Sequence, residues 1–272
     1  MKKNEIFIFI FLLLFSLIIF VNSQIRVTDS RSDLKHQLQI SATPMAPEML
    51  KAFAGEFKGV VADYLLLEAA SFIGANIKAD EKQWDAVCRL LDQSSILDPY
   101  FQQTYIIAQG SIPWQTQKIQ QAMTILERSK KHRTWDWRPG FLLGFNHFYF
   151  MKDNSKASQE LMQASKIPGA PIGLATWGSR LASKAGEYQV AIEFLSAMYE
   201  NTEGVSQKRM LKDRIDAVAG AYQLQQAVER FKDRYDRVPD TLEELLGSSI
   251  LPELPRNPYN RSYVLKDGNI EF

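Results

Sequence analysis

The stretch Ala157-Ser-Gln-Glu-Leu161-Met-Gln-Ala164 decides how this chain is read, because relatives of it recur at a nearly fixed interval. The sets Val87/Leu91/Ser94, Ala122/Leu126/Ser129, Ala157/Leu161/Ala164 and Ala191/Leu195/Met198 begin 35, 35 and 34 residues apart. A small or branched residue, a leucine four later and a small or apolar residue three after that mark one face of a helix. Upstream of each set, by 12 or 13 residues, stands Gly74, Gly110, Gly144 or Gly178. Three of these follow an apolar residue, as Ile73-Gly74, Leu143-Gly144 and Trp177-Gly178. The pattern predicts two helices per unit, the glycine lying where the first helix approaches a neighbour closely.

In its spacing and in an order like L-G…A-x3-F…P, this period resembles the tetratricopeptide repeat over residues 65–202, four units in all. The leading Trp of that repeat is absent, its place falling on Ala70, Ile106, Gly140 and Leu174. The resemblance implies a mainly α protein, an α-solenoid of helix pairs whose first helices line a concave surface for a protein or peptide partner. Unit three is the most aromatic part, and Phe141, Phe145 and Phe148 step by four and three along one helix face. Such a stripe is either core packing or a partner groove. On the groove reading the candidate partner-binding residues are Phe141, Phe145, Asn146, Phe148 and Tyr149, joined by Arg180 from unit four.

The charge balance, 32 basic against 31 acidic residues, leaves no global field to attract nucleic acid, so no nucleic-acid partner is expected. Cys88 is the only cysteine, which excludes an intramolecular disulfide or a thiolate cluster and reads as a small buried hydrophobe. With three dispersed histidines, His36, His132 and His147, no metal site and no cofactor is expected. The chain carries none of G-x-x-x-x-G-K-[ST], G-x-G-x-x-G, H-E-x-x-H or G-x-S-x-G, and Asp136, Asp153 and Glu160 are scattered. The expectation is a non-catalytic scaffold. The alternative is an envelope enzyme or enzyme subunit, whose local candidate is the basic aromatic connection at residues 128–138, with Lys131, His132, Arg133 and Trp135. That connection reads either as an anion or base binder or as a surface turn whose tryptophans tuck into the neighbouring unit.

Lys2 and Lys3 precede an apolar run at residues 6–21 broken only by Ser16, so residues 1–23 read as a membrane anchor or a secretory signal peptide. Positive charge at the start keeps that end in the cytoplasm and sends the rest to the periplasm. The expected localisation is a single-pass inner-membrane protein of a bacterium, or a periplasmic protein if the segment is cleaved. Residues 24–47 are polar and aperiodic, a linker. The repeats then occupy 48–204, opening with one helix at 48–74, and a long helix fills 205–237.

Residues 238–272 change character. In Val238-Pro239-Asp240-Thr241-Leu-Glu-Glu244-Leu-Leu, Thr241 and Glu244 are spaced as a capping box. Leu254-Pro255-Arg-Asn257-Pro258-Tyr259-Asn260 is a rigid turn, and Lys266-Asp267-Gly268 joins two strands of a hairpin. This order resembles the C-terminal part of the type II secretion pseudopilins. It implies a small α+β cap and a secretion or pilus machine as partner, without the family's calcium, since Asn257 and Asn260 stand where Asp and Gly are usual. Leu242, Leu245, Leu251, Tyr263 and their neighbours are too apolar for a free tail, so the cap should fold back on the long helix.

Overall fold

The structure, a computed structural model, describes residues 12–28, 40, 42–75, 79–266 and 268–272. The chain is mainly helical, consecutive helices pack on one another, and among the described residues the only sheet is a two-stranded one at the C-terminus. Residues 12–28 form helix α1, whose apolar side chains are exposed. The start of the expected anchor, 6–11, and most of the expected linker, 29–39, lie outside the described residues. Among the described residues no helix is long and apolar enough to cross a membrane.

The described residues divide into two compact units: Met1–Asp98 with Trp114–Thr116, and Pro99–Pro113 with Gln117–Phe272. In the first, the single helix expected at 48–74 is broken. Helix α2 (Pro47–Ala54) ends in a 3₁₀ turn, Gly55–Phe57, before α3 (Lys58–Gly74). The cause is Gly55, at φ 51° and ψ −128°, a conformation that side chains with a Cβ resist. Helix α4 (Glu81–Leu97) opens with a reciprocal capping box, the Asp80 carboxylate accepting from the Gln83 N–H and the Gln83 amide oxygen accepting from the Asp80 N–H. It stops at Asp98, which takes a non-helical backbone (φ −132°, ψ 88°) before Pro99, whose ring disfavours helical backbone in the residue ahead of it. Leu50, Ala54, Ala62 and Leu97 form one buried apolar cluster of this unit. The side chains of Arg89 and Gln93 donate to the carbonyls of Ala42 and Thr43, holding the entering strand of chain on α4.

The second unit takes residues 102–113 of α5 (Gln102–Gln115), a helix that runs past Gly110 and through Pro113. It continues with α6 (Ile119–His132), α7 (Arg138–Tyr149), α8 (Asn154–Ser165), α9 (Gly173–Lys184), α10 (Tyr188–Glu200) and the 31-residue α11 (Val205–Tyr235). From α6 to α11 each helix packs on the next. The repeat positions explain why: Ala122, Leu126, Ala157, Leu161, Ala191 and Leu195 are all fully buried, as are Val87 and Leu91 on α4. Two of the four repeat glycines are points of close approach. A Cβ on Gly144 would stand 2.7 Å from Leu161 Cγ, and one on Gly178 would stand 2.9 Å from Met162 Cγ, so α7 and α9 both press on α8. Gly74 and Gly110 meet nothing within 4 Å. There the expected close approach is absent.

The tail does fold back on α11. Leu242, Leu245, Leu251, Tyr263 and Ile270 share one core cluster with Leu211, Val218, Leu224, Val228 and Phe231 of α11. Tyr263 donates its hydroxyl to the Ala217 carbonyl at 3.0 Å, across Gly220, where any Cβ would collide with the phenol. Strands β1 (Val264–Lys266) and β2 (Asn269–Glu271) pair antiparallel with Leu265 opposite Ile270, and Gly268 takes φ 79° in the turn. Gln225 of α11 clamps the hairpin, donating to the Gly268 carbonyl and accepting from the Ile270 N–H. The Thr241–Glu244 capping box does not form. Helix α12 (Glu244–Gly247) has no side-chain cap, because Glu244 turns back to the Asp240 N–H and to the Arg237 guanidinium.

Candidate functional site

The six candidate residues separate into a ridge of rings, a buried amide and a surface cation. Phe141 and Phe148 lie seven residues apart on α7, and both meet Trp177 of α9, with ring centroids 6.1 Å and 5.6 Å away. Trp137 adds a fourth ring, 6.0 Å from Phe141. All four are half-buried, their inner edges on the cluster of Ala157, Leu161, Ala164, Leu174 and Leu181. Phe145 departs from its expected companions. It stacks on Tyr149 at 5.4 Å and meets Phe150 edge-on at 6.3 Å, and Tyr149 itself is 45% exposed.

Asn146 is fully buried and engaged. Its Oδ1 accepts from Gln109 Nε2 at 2.7 Å and its Nδ2 donates to Gln109 Oε1 at 2.8 Å, a closed amide pair joining α5 to α7. The pair takes one N–H and one oxygen lone pair of Asn146, and complete burial keeps the rest of the amide from a ligand at the surface. Arg180, on the same helix as Trp177, is exposed. The site is therefore an aromatic ridge across α7 and α9 with Tyr149 and Arg180 at the surface, while Asn146 holds the helices beneath.

The basic aromatic connection is consumed by its own acid. Asp136, 3% exposed, accepts from Tyr105 Oη at 2.8 Å, Arg133 Nε at 3.1 Å, and the backbone and side-chain nitrogens of Arg138, each at 3.1 Å. Burial works against its charge, but these hydrogen bonds outweigh it and hold the carboxylate below its ordinary pKa. Burial, and after it the bond to Asp136, pushes the Tyr105 phenol upward. Arg133 also donates to the Tyr100 carbonyl. Its expected role in binding an anion thus goes to a buried carboxylate of the chain itself. Trp137 tucks onto the neighbouring core as the surface-turn reading expects, whereas Trp135 stays 59% exposed, stacked on Tyr100 at 6.1 Å. Lys130 pairs with Glu160 at 2.6 Å.

Sequence reasoning missed Trp137 and Trp177 as ridge members and Gln109 as the partner of Asn146. Trp177 was visible only as the residue preceding the repeat glycine Gly178, one repeat after the α7 aromatics. Cys88 is buried. Among the described residues no group of three or more His, Cys, Asp or Glu side chains is placed to hold a metal ion. Comparison with protein families, with curated proteins and with solved structures finds no match for the chain.

Proposed function

We propose that this protein is a non-catalytic, TPR-like helical scaffold, an α-solenoid anchored at the inner membrane by its N-terminal apolar run, with its bulk in the periplasm. It holds a segment of another envelope protein against its first helices, in the service of an envelope, secretion or pilus assembly. The observation that carries the reading is the ridge of Trp137, Phe141, Phe148 and Trp177. Four half-buried rings from two successive first helices leave edges for an apolar side chain, and the exposed Arg180 stands on the second of those helices. The buried 34- and 35-residue positions on the intervening helices support the repeat architecture that this reading needs.

A photo-crosslinking amino acid in place of Tyr149 or Arg180, in the intact membrane-expressed chain, tests it. One discrete adduct from both positions, absent when the same group replaces the exposed Glu193 of the second helix α10, is the expected result. Adducts that are equal at all three positions, or absent at the first two, would overturn the proposal.

A further inference from the structure

The cap holds a cavity of about 440 Å³, within the size range of ligand pockets, and all of its lining belongs to the second unit. Leu224 of α11, with Leu242, Leu254 and Pro255, supplies the apolar part of the wall. The rest comes from two continuous runs of chain, the turn at 240–243 and the approach to β1 at 261–265.

Side chains along an extended chain alternate between its two faces. Tyr263 turns inward to the Ala217 carbonyl, Val264 is 55% exposed, and Leu265 packs back on the α11 cluster, yet all three line the cavity. A space that touches successive residues of a strand lies along its edge, where the main chain is presented. The lining takes nothing from β2, so the edge is the one away from β2. The hairpin register says which groups stand there. Ile270 N–H donates to Gln225 of α11, away from β1, so the pair Leu265–Ile270 is of the kind that exchanges no hydrogen bond. The Leu265 N–H and carbonyl therefore point away from β2, to the cavity edge. Among the described residues the sheet has no third strand on that edge.

We propose that this edge and its cavity bind an extended peptide, which adds to β1 as an antiparallel strand and lays apolar side chains on Leu224, Leu254 and Pro255. Directly opposed residues of an antiparallel pair share a face, so the ligand residue opposite Leu265 sends its side chain inward and its N–H and carbonyl to β1. The lining carries the exposed carboxylates of Asp240 and Glu243 against the single guanidinium of Arg261, so basic side chains suit the ligand's outward positions. A segment in which apolar and basic residues alternate meets all three features. The site does not depend on the scaffold reading.

The test is the fluorescence anisotropy of a dye-labelled, blocked hexapeptide alternating valine and lysine, titrated with the detergent-solubilised full chain at fixed ionic strength. Saturable binding is expected. N-methylation of the valines, whose N–H groups face β1, should weaken it about 10-fold or more, and N-methylation of the lysines should leave it nearly unchanged. Glutamate in place of lysine should weaken it several-fold. Thr241→Trp, at an exposed position of the cavity wall, should abolish binding with the melting temperature unchanged. No binding of the valine–lysine peptide, equal effects of the two methylation patterns, equal binding of the glutamate peptide, or full binding by Thr241→Trp would each overturn the proposal. Should Thr241→Trp fail to fold, the two methylated peptides on the parent chain decide alone.

Discussion

The four repeat glycines occupy equivalent places in the sequence pattern, yet alanine at two of them should act with opposite sign. Replacing glycine by alanine inside a helix is worth about 0.5–1 kcal/mol in its favour, through the lost freedom of the unfolded chain and better helix propensity. At Gly110, inside α5, an added Cβ meets nothing within 4 Å, so that gain is realised in full. At Gly144 the same Cβ would stand 2.7 Å from Leu161 Cγ, 3.0 Å from its Cδ2 and 3.2 Å from the Ala157 carbonyl oxygen. Leu161 is completely buried and the carbonyl belongs to the backbone of α8, so neither neighbour has room to retreat. Overpacking of this kind costs about 1–3 kcal/mol, more than the helix gain offsets, for a net loss of about 1–2 kcal/mol. Urea denaturation followed by helical circular dichroism should show Gly144→Ala with a lowered midpoint and unchanged m-value. Gly110→Ala should melt roughly 1–4 °C above the parent chain. Leu161→Ala alone should cost about 2–5 kcal/mol, and the Gly144→Ala/Leu161→Ala double variant less than the sum, since the alanine fills part of the cavity. Equal stability of Gly144→Ala and Gly110→Ala would refute the close approach of α7 to α8, and with it the packing derived from the repeat.

The buried acid gives a second expectation: Asp136→Asn should lose about 3 kcal/mol, because Arg133 is left without its countercharge in a half-dry site. Since the folded carboxylate titrates below its ordinary value, its contribution is present above about pH 4 and disappears as pH falls through the lowered folded pKa. The acid limb of the stability curve should therefore flatten in Asp136→Asn. An identical acid limb in both proteins would refute the assignment. At the alkaline end burial, with a smaller push from Asp216, raises Tyr263 to about 12, so its contribution is full below about pH 10 and fades as pH approaches 12. Spectroscopic titration should show this phenol ionising only as the chain unfolds, whereas Tyr263→Phe should lose its bond to Ala217 and that pH dependence together. Deleting residues 236–272 should lower the melting temperature by roughly 5–15 °C, as a few kcal/mol of packing on α11 is lost. An unchanged melting temperature would show that the cap contributes nothing to α11.

What the sequence showed well was whatever depends on one helix face meeting one neighbour. The triads at Ala122, Ala157 and Ala191 could be read from spacing because a helix has a single buried stripe and its residues must be small or aliphatic to fill it. The same logic placed α11 and its cap, since Leu242, Leu245 and Leu251 had to be covered by something. It failed at Gly55, where apolar spacing continues across a residue whose backbone turns the chain, and at Thr241, whose expected partner Glu244 is drawn to Arg237 instead. In the second case a charged competitor seven residues away wins over a local hydrogen bond, and spacing alone carries no information about which partner is stronger.

The aromatic stripe shows where this kind of reading stops. Residues 141, 145 and 148 lie on one face only in the loose sense that a face spans about 100°. At about 100° per residue, positions seven apart differ by roughly 20° and positions four apart by roughly 40°. Phe141 and Phe148 are thus nearly eclipsed and both reach the one ring, Trp177, that α9 offers them. Phe145 falls to the side and stacks on Tyr149 of its own helix. Asn146, one step further round, points inward and closes on Gln109. Four residues adjacent in the pattern therefore meet three different environments, and what sorts them is the ring or amide that a distant helix presents. That information is non-local, so the candidate surface contracts from six residues to the ridge edges, Tyr149 and Arg180 only once the packing of α5, α7 and α9 is known.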